Sequence, residues 1–409
     1  MTFFASRWVE RPEHVTELEP GALPRGFRAA AVAAGLKEEG LDVGVLFSEP
    51  AGTVSAARFT TNARVGAPVV VSRQAALGGL RAVVANSGGS NTGDGRRGIE
   101  TALATQAAAA EALGIEPEQV GLASTGVIGS ELPRDKVVAG TRAAIEQLGD
   151  SSDGLAQAIV TTDRWPKLAC LEVELSTGPV RLSGQAKGAG MISPRYATMF
   201  CFVQTDAALA PESVELLTGV CVKRSFDRIS VDGQLSTSDT VFVQANGASG
   251  VRVEPESADE LRLGEAMDAL MRQLAMLIVS DGEGAKRVGR IIVRGDTDTV
   301  EPVARSVANS PLVKTALYGA DPNYGRILQA AGQALPPPFV VDLEIEGTAV
   351  ASAGEAVPLS EDELSALEQA VRRDEVEYAL TIPGEGGETE VFFSDLSYDY
   401  VRINAEYTT

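Results

Sequence analysis

Short runs of branched and small apolar residues recur along this chain, too brief for helices and too closely spaced for a helical bundle. Residues 43–47, 54–59, 68–71 and 82–85 read as strands. A Gly-rich loop at 86–95 then leads into a helical stretch at 99–113, dominated by Ala and Glu. Residues 120–123 form another strand ending in Ser124-Thr125-Gly126, followed by helical patterns at 134–148 and 154–161. Strands return at 168–174, 179–182 and 199–204. A helix is expected at 259–279, where Met267, Leu270, Met271, Leu274 and Ile278 keep the spacing of a core-facing stripe. Beyond it, β and α patterns alternate through 288–293, 300–307, 326–332, 340–345, 361–371 and 376–382, closing on strands at 390–393 and 400–404. Helices mixed with hairpin-like strands predict an α+β or layered α/β fold, without a doubly wound parallel signature. The 409 residues leave room for two lobes.

Composition narrows the chemistry. The net charge of −21 argues against a nucleic-acid partner, which needs clustered Lys and Arg, and against docking on an anionic membrane. No run approaches the ~18 apolar residues of a membrane span, and residues 1–15 lack a basic start followed by an apolar stretch, so a cytoplasmic protein is expected. Cys170, Cys201 and Cys221 are odd in number, form no CxxC pair and sit among apolar residues, as buried inert thiols do. His14 is the single histidine, in a polar stretch that reads as a solvated tail. Histidine-based triads and multi-imidazole zinc sites are thereby disfavoured, and acid–base work falls to carboxylates, Lys, Tyr or an α-amino group. The run Gly93-Asp-Gly-Arg-Arg-Gly98 follows a loop, so it fails the context of a dinucleotide site, and no phosphate-binding GxxxxGK[ST] occurs. No metal or organic cofactor is expected.

One segment carries more than structure: Lys187-Gly-Ala-Gly-Met-Ile-Ser-Pro-Arg-Tyr-Ala-Thr-Met199, running into an apolar strand and Thr205-Asp206. By itself it is a loop entering a strand, with Thr198 suited to β-structure. The segment resembles a signature of the ornithine acetyltransferases, also called glutamate N-acetyltransferases. That resemblance implies a self-cleaving, N-terminal-nucleophile-type acetyltransferase that breaks its Ala197–Thr198 bond. Residues 1–197 would become one subunit and 198–409 the other, beginning with the nucleophile Thr198. A Thr hydroxyl is a weak nucleophile, but the α-amine freed on the same residue, with an unperturbed pKa of roughly 8, can take its proton. The scarcity of histidine fits this chemistry.

Further segments are similar to the same family. In Ala123-Ser-Thr-Gly-Val-Ile-Gly129, Thr125 and Gly126 would form the oxyanion hole. In Ile159-Val-Thr-Thr-Asp163, Thr161 or Thr162 would bind substrate, and one sequence does not choose between them. Glu283, in Ser280-Asp-Gly-Glu-Gly-Ala285, would hold the amino end of the substrate, and Lys187 a carboxylate. Asn404 and Thr409, in the terminal Asn404-Ala-Glu-Tyr-Thr-Thr409, would contact it as well. Without the resemblance, these are a strand-end turn, a solvated helix end, a surface Lys and a frayed terminus. The similar segments run in order from about residue 24 to 409. They imply ping-pong acetyl transfer from N-acetylornithine to glutamate, with acetyl-CoA open as a second donor, and association of both cleavage products into α2β2 or larger oligomers.

The chain departs from the family pattern in places. Asn86-Ser-Gly-Gly-Ser-Asn-Thr-Gly93 carries Gly89 and Ser90 where Asn and Ala are usual. Gln234-Leu235, Arg195-Tyr196 and Arg164-Trp165 also differ from it. A paralogue acting on another amine and an amidohydrolase that uses water as acceptor are the competing expectations. A non-enzymatic scaffold would remain an intact chain.

Overall fold

The computed structural model describes residues 2–193, 199–337 and 339–406. Along the first segment run β1 (Val15–Glu17), β2 (Phe27–Val32), β3 (Val43–Ser48), β4 (Val54–Phe59), α1 (Ala67–Ser72), β5 (Ala82–Asn86), α2 (Gly95–Leu113), β6 (Val120–Ser124), α3 (Arg134–Ile145) and α4 (Asp153–Ala158). Next come β7 (Lys167–Leu175), β8 (Gly178–Lys187), β9 (Phe200–Thr205), α5 (Pro211–Arg224), β10 (Ile229–Ser230), β11 (Thr240–Ala245) and α6 (Ala258–Ser280). The last part holds β12 (Val288–Asp296), α7 (Val300–Ala308), α8 (Pro311–Tyr318), α9 (Tyr324–Ala331), β13 (Asp342–Ile345), β14 (Thr348–Ser352), β15 (Glu355–Ala356), α10 (Glu361–Ala370), β16 (Glu375–Thr381), β17 (Gly386–Ser394) and α11 (Tyr398–Glu406).

The strands form three sheets: β2-β3-β5-β6, β1-β7-β8-β9-β11-β4 and β10-β17-β12-β16-β13-β14-β15. The fold is therefore a mixed, layered α/β one. The first two sheets face each other across a shared core in which Phe200, Phe202 and Phe242 of β9 and β11 meet Leu46, Val83, Ala85 and Ala123 of β3, β5 and β6. Full burial of each aromatic ring contributes roughly 1.5–3 kcal/mol, so this seam is a main support of the assembly. Helices cover the outer faces. Val45, Val84, Val120 and Leu122 pack on Ala102, Ala109 and Ala144 of α2 and α3. On the far side, Leu182, Cys201 and Val203 pack on Met267, Leu270 and Leu274 of α6. The third sheet has its own core against α7, α9 and α10.

Three expectations are corrected. Residues 68–71 form helix α1, because Pro68 at the start of the helix pre-sets its backbone angle after the extended Gly66, and burial of Val69 and Val71 outweighs β-propensity. The terminal segment at 400–404 is also helical, started by the Ser397 hydroxyl accepting the Tyr400 N–H at 3.1 Å. His14 is no free tail: its Nε2 lies 2.9 Å from the Arg262 carbonyl on α6, and Phe3, Phe4 and Trp8 pack on the same core. The three thiols are free and buried as expected. Burial pushes Cys170 up to about 12, and Cys201 and Cys221 further still, which keeps them unreactive.

Candidate active site

The two facing sheets bring their strand ends together. Asn86 pairs with Ser124 at the ends of β5 and β6, Lys187 pairs with Phe200 where β8 and β9 meet, and Thr240 of β11 stands beside Phe200. The residues just beyond these ends line one cavity of about 320 Å³. Thr125 and Gly126 follow β6, where the ladder has stopped. The Thr125 N–H donates to the Asn86 carbonyl at 3.0 Å, and Gly89 N–H to the Thr125 carbonyl at 3.1 Å. Gly126 has φ +126°, and a Cβ there would stand 2.7 Å from Gly89 N and 2.9 Å from Gly88 C. Only Gly lets this turn and the 86–93 loop approach so closely.

Lys187 projects into the cavity from the end of β8 and is 2% exposed. Its ammonium donates to Thr161 Oγ1 at 2.9 Å and Thr125 Oγ1 at 3.3 Å, with Asp163 Oδ2 3.9 Å away. Burial lowers the Lys187 pKa below its ordinary value, and Asp163 offsets part of that shift. Beneath it lies a second buried cation. Lys167, fully buried, bridges Asp163 at 2.7 Å and Asp281 at 2.6 Å, while Gly188 N–H donates to Asp163 Oδ1 at 2.7 Å. Burial would raise the Asp163 carboxyl, but Lys187, Lys167 and these hydrogen bonds overcome it and hold the pKa at about 2. Asp163 thus contributes stability that is complete above its ordinary value near 3.8 and is lost as pH falls through about 2. Urea unfolding of wild type and Asp163→Asn should differ most above pH 4. On the order of 2 kcal/mol of that difference should vanish between pH 4 and pH 2.

The opposite wall is acidic. Glu283, 8% exposed, follows α6 and is tied to the Lys187 side by its N–H, which donates to the Ala189 carbonyl at 2.9 Å. Asn404 reaches it from α11, Nδ2 to Glu283 Oε2 at 2.6 Å. Tyr400 from the same helix and Asp232 complete this side, and Asp232 accepts the N–H groups of Met191 and Ile192 at 2.7 and 2.9 Å. Burial raises the Asp232 pKa, which these hydrogen bonds partly offset. The cavity thus carries an ammonium together with carboxylates, a lining suited to a small ligand that bears both charges. Replacing Glu283 by Ala should raise the KM of an amino-acid donor ~10–100-fold, as loss of a charged hydrogen bond does. Steady-state kinetics check this, and unchanged KM would remove Glu283 from the site.

Of the residues nominated from sequence, Thr125, Gly126, Thr161, Thr162, Lys187, Glu283 and Asn404 line this cavity. Thr161 is the one of its pair whose hydroxyl is bonded to Lys187. Ala197, Thr198 and Thr409 lie outside the described residues. Immediately after Thr198 in the chain, Met199 is buried, and its N–H donates to Asp239 Oδ1 at 2.9 Å. Burial pushes the Asp239 carboxyl up to about 8. Lys37, Asp232, Gln234 and Tyr400 also line the cavity, and sequence reasoning gave them no role. Nothing local marks Lys37, Asp232 or Tyr400, and Gln234 stands out in the sequence only as a departure from the family pattern. Of the departures, Arg164 and Trp165 stand outside the cavity, where Arg164 pairs with Asp281 at 2.7 Å and stacks over the Trp165 ring at 4.5 Å. Gln234 lines the cavity itself.

Layered sheets whose joined edges carry paired hydroxyls, a close glycine turn and a buried ammonium form a pocket of the class that binds a small charged ligand. The ArgJ family pattern matches residues 28–409, and the chain belongs to that family. It is an acyltransferase of the glutamate N-acetyltransferase / ornithine acetyltransferase type. The chain is 42% identical over 394 residues to the arginine biosynthesis bifunctional protein ArgJ of Nitratidesulfovibrio vulgaris, covering 94% of this chain and 99% of that one. It is 40% identical over 402 residues to the glutamate N-acetyltransferase of Methanocaldococcus jannaschii, covering 94% and 98%. Among solved structures, the ornithine acetyltransferase of Mycobacterium tuberculosis complexed with ornithine is 36% identical, with a TM-score of 0.42, covering 45% of this chain and 99% of that chain.

Proposed function

We propose that this chain cleaves itself between Ala197 and Thr198 and then moves an acetyl group from N-acetylornithine to glutamate through an acetyl ester on Thr198. The Thr198 hydroxyl attacks the donor's acetyl carbonyl while its free α-amine takes the proton. The Thr125 hydroxyl and Gly126 N–H stabilise the oxyanion, and the proton passes to the departing ornithine amine. The amine of glutamate then attacks the ester, gives up a proton through the same α-amine and restores the Thr198 hydroxyl.

The observation that carries this reading is the cavity itself. It joins Thr125, Gly126 and Lys187 to Glu283 and Asn404, five residues from segments far apart in sequence. Lys187 suits the α-carboxylate and Glu283 the amino end of an amino acid. The cut would fall between β8 and β9, which are hydrogen-bonded neighbours in one sheet. Separating the two products would strip Leu182 and Ala186 from Cys201 and Val203 and open the main core, so chains 1–197 and 198–409 remain together as a hetero-oligomer. No helix among the described residues is long and apolar enough to cross a membrane, in keeping with work on free amino acids in the cytoplasm.

Intact mass spectrometry with N-terminal sequencing, followed by an acetyl-transfer assay, tests the reading. Two fragments, the second beginning Thr198-Met-Phe-Cys, together with N-acetylglutamate formation from N-acetylornithine, are expected. A stable intact chain without transfer overturns it. Hydrolysis of N-acetylornithine without glutamate would identify an amidohydrolase, and acetyl-CoA in the same assay tests the second donor.

A further inference from the structure

Resting on that reading, one question concerns the acceptor: a single cavity must take ornithine, whose side chain ends in an ammonium, and glutamate, whose side chain ends in a carboxylate. Glu283 and Asp232 suit the first. Lys187 is already matched by Asp163 and, in the proposed reaction, takes the α-carboxylate that both substrates carry. A second carboxylate needs another cation, and the described lining offers one more, Lys37.

Lys37 is half-buried in the loop between β2 and β3. Its backbone is fixed in advance. The buried Asp42 carboxylate accepts the N–H groups of Ala34 and Leu36, each at 2.6 Å, and of Lys37 at 3.1 Å. Gly88 closes on the same loop: a Cβ there would meet the Leu36 carbonyl oxygen at 2.7 Å, and its φ is +93°. The Lys37 loop, the Gly88–Gly89 backbone and the Gly126 turn thus stack in direct contact. The Lys37 ammonium, by contrast, is under-used. Among the described residues it enters no ion pair, and its one hydrogen bond is a long one to the Val160 carbonyl at 3.4 Å. Asp42, the nearby acid, has spent its oxygens on the loop amides. Lys37 and Lys187 therefore flank one short segment, at Val160 and Thr161, with donors left over on Lys37.

We infer that Lys37 is a specificity residue that receives the side-chain carboxylate of the glutamate acceptor and so sets the preference of the acetyl-enzyme for glutamate over ornithine. The ammonium needs only to turn from the Val160 carbonyl toward the cavity, on a backbone that does not move.

The test is a competition at the acetyl-enzyme. Unlabelled N-acetylornithine serves as donor, and glutamate and isotopically labelled ornithine compete as acceptors at equal concentration. The ratio of N-acetylglutamate to labelled N-acetylornithine at early times does not depend on how much active enzyme is present. In Lys37→Met, which keeps the apolar stem, the ratio should fall at least about tenfold, while Lys37→Arg should stay within about threefold of wild type. A ratio unchanged in Lys37→Met, with both products reduced together, would make Lys37 a structural residue and overturn the inference. Should Lys37→Met fail to fold, wild type is tested with glutamine in place of glutamate. A preference for glutamate of at least about tenfold is expected, and no preference overturns the inference. Wild type that forms neither product fails the proposed reaction itself, a result distinct from a shifted ratio.

Discussion

Thr198→Ala is expected to remain a single 409-residue chain and to lose acetyl transfer by at least about 10⁴-fold. In the proposed reaction, the substitution removes the hydroxyl that attacks the Ala197–Thr198 carbonyl during maturation and the donor carbonyl during transfer. Nothing among the described lining residues replaces it. That lining includes neither His nor Cys, and its hydroxyls, on Thr125, Thr161, Thr162 and Tyr400, have no chain-terminal α-amine beside them to take a proton. Thr198→Ser keeps the hydroxyl and should recover part of both activities. Mass spectrometry reads the cleavage, steady-state kinetics read the transfer, and circular dichroism confirms that the alanine variant is folded. A processed, active Thr198→Ala protein would sink the mechanism.

Gly126→Ala should cost about 10²–10³-fold in kcat, the scale of losing one oxyanion donor. The added Cβ would stand within 3.0 Å of backbone atoms of both Gly88 and Gly89, and backbone cannot swing aside as a side-chain tip can. Its φ of +126° is also strained for any L side chain. The turn must shift by several tenths of an ångström, carrying the Gly126 N–H and the Thr125 hydroxyl away from where charge develops. In the proposed reaction Lys187, Glu283 and Asn404 bind N-acetylornithine and none of them moves with this turn, so its KM should change little. Gly89→Ala is the matched control, since its Cβ would meet only the Leu132 side chain, at 3.2 Å. Wild-type kcat in Gly126→Ala would remove that residue from the oxyanion hole.

The local features that identified the site were legible because they are contiguous in the chain. Ala197-Thr198, the Lys in its Gly-rich run and the Ser-Thr-Gly turn stood out only as parts of contiguous segments that resemble one family, while the lone His14 left little room for the usual bases. The features that escaped depend on packing. Residues 68–71 and 400–404 look like strands by composition, yet a proline start and a serine cap made helices of them, and the second helix carries Asn404 onto Glu283. That the Thr161 hydroxyl receives the Lys187 ammonium is visible only in the fold. Lys37 carries no motif at all and acquires meaning only from the loop that aims it.

By itself, the sequence determined the layered α/β character of the protein, its buried thiols and the absence of a histidine-based triad, which follow from side-chain type and from periodicity over a few residues. Most of the residues that meet in the cavity came from the resemblance of their segments to one family. Only the tertiary structure decided that the ends of β5, β6, β8, β9 and β11 converge, that Asp163, Lys167 and Asp281 balance charge beneath Lys187, and that Lys37 and Asp232 face the same space. The physical reason is that strand periodicity says which face of a strand is buried, whereas the stacking of one sheet on another, set by the Phe200–Phe202–Phe242 seam, decides which strand ends meet.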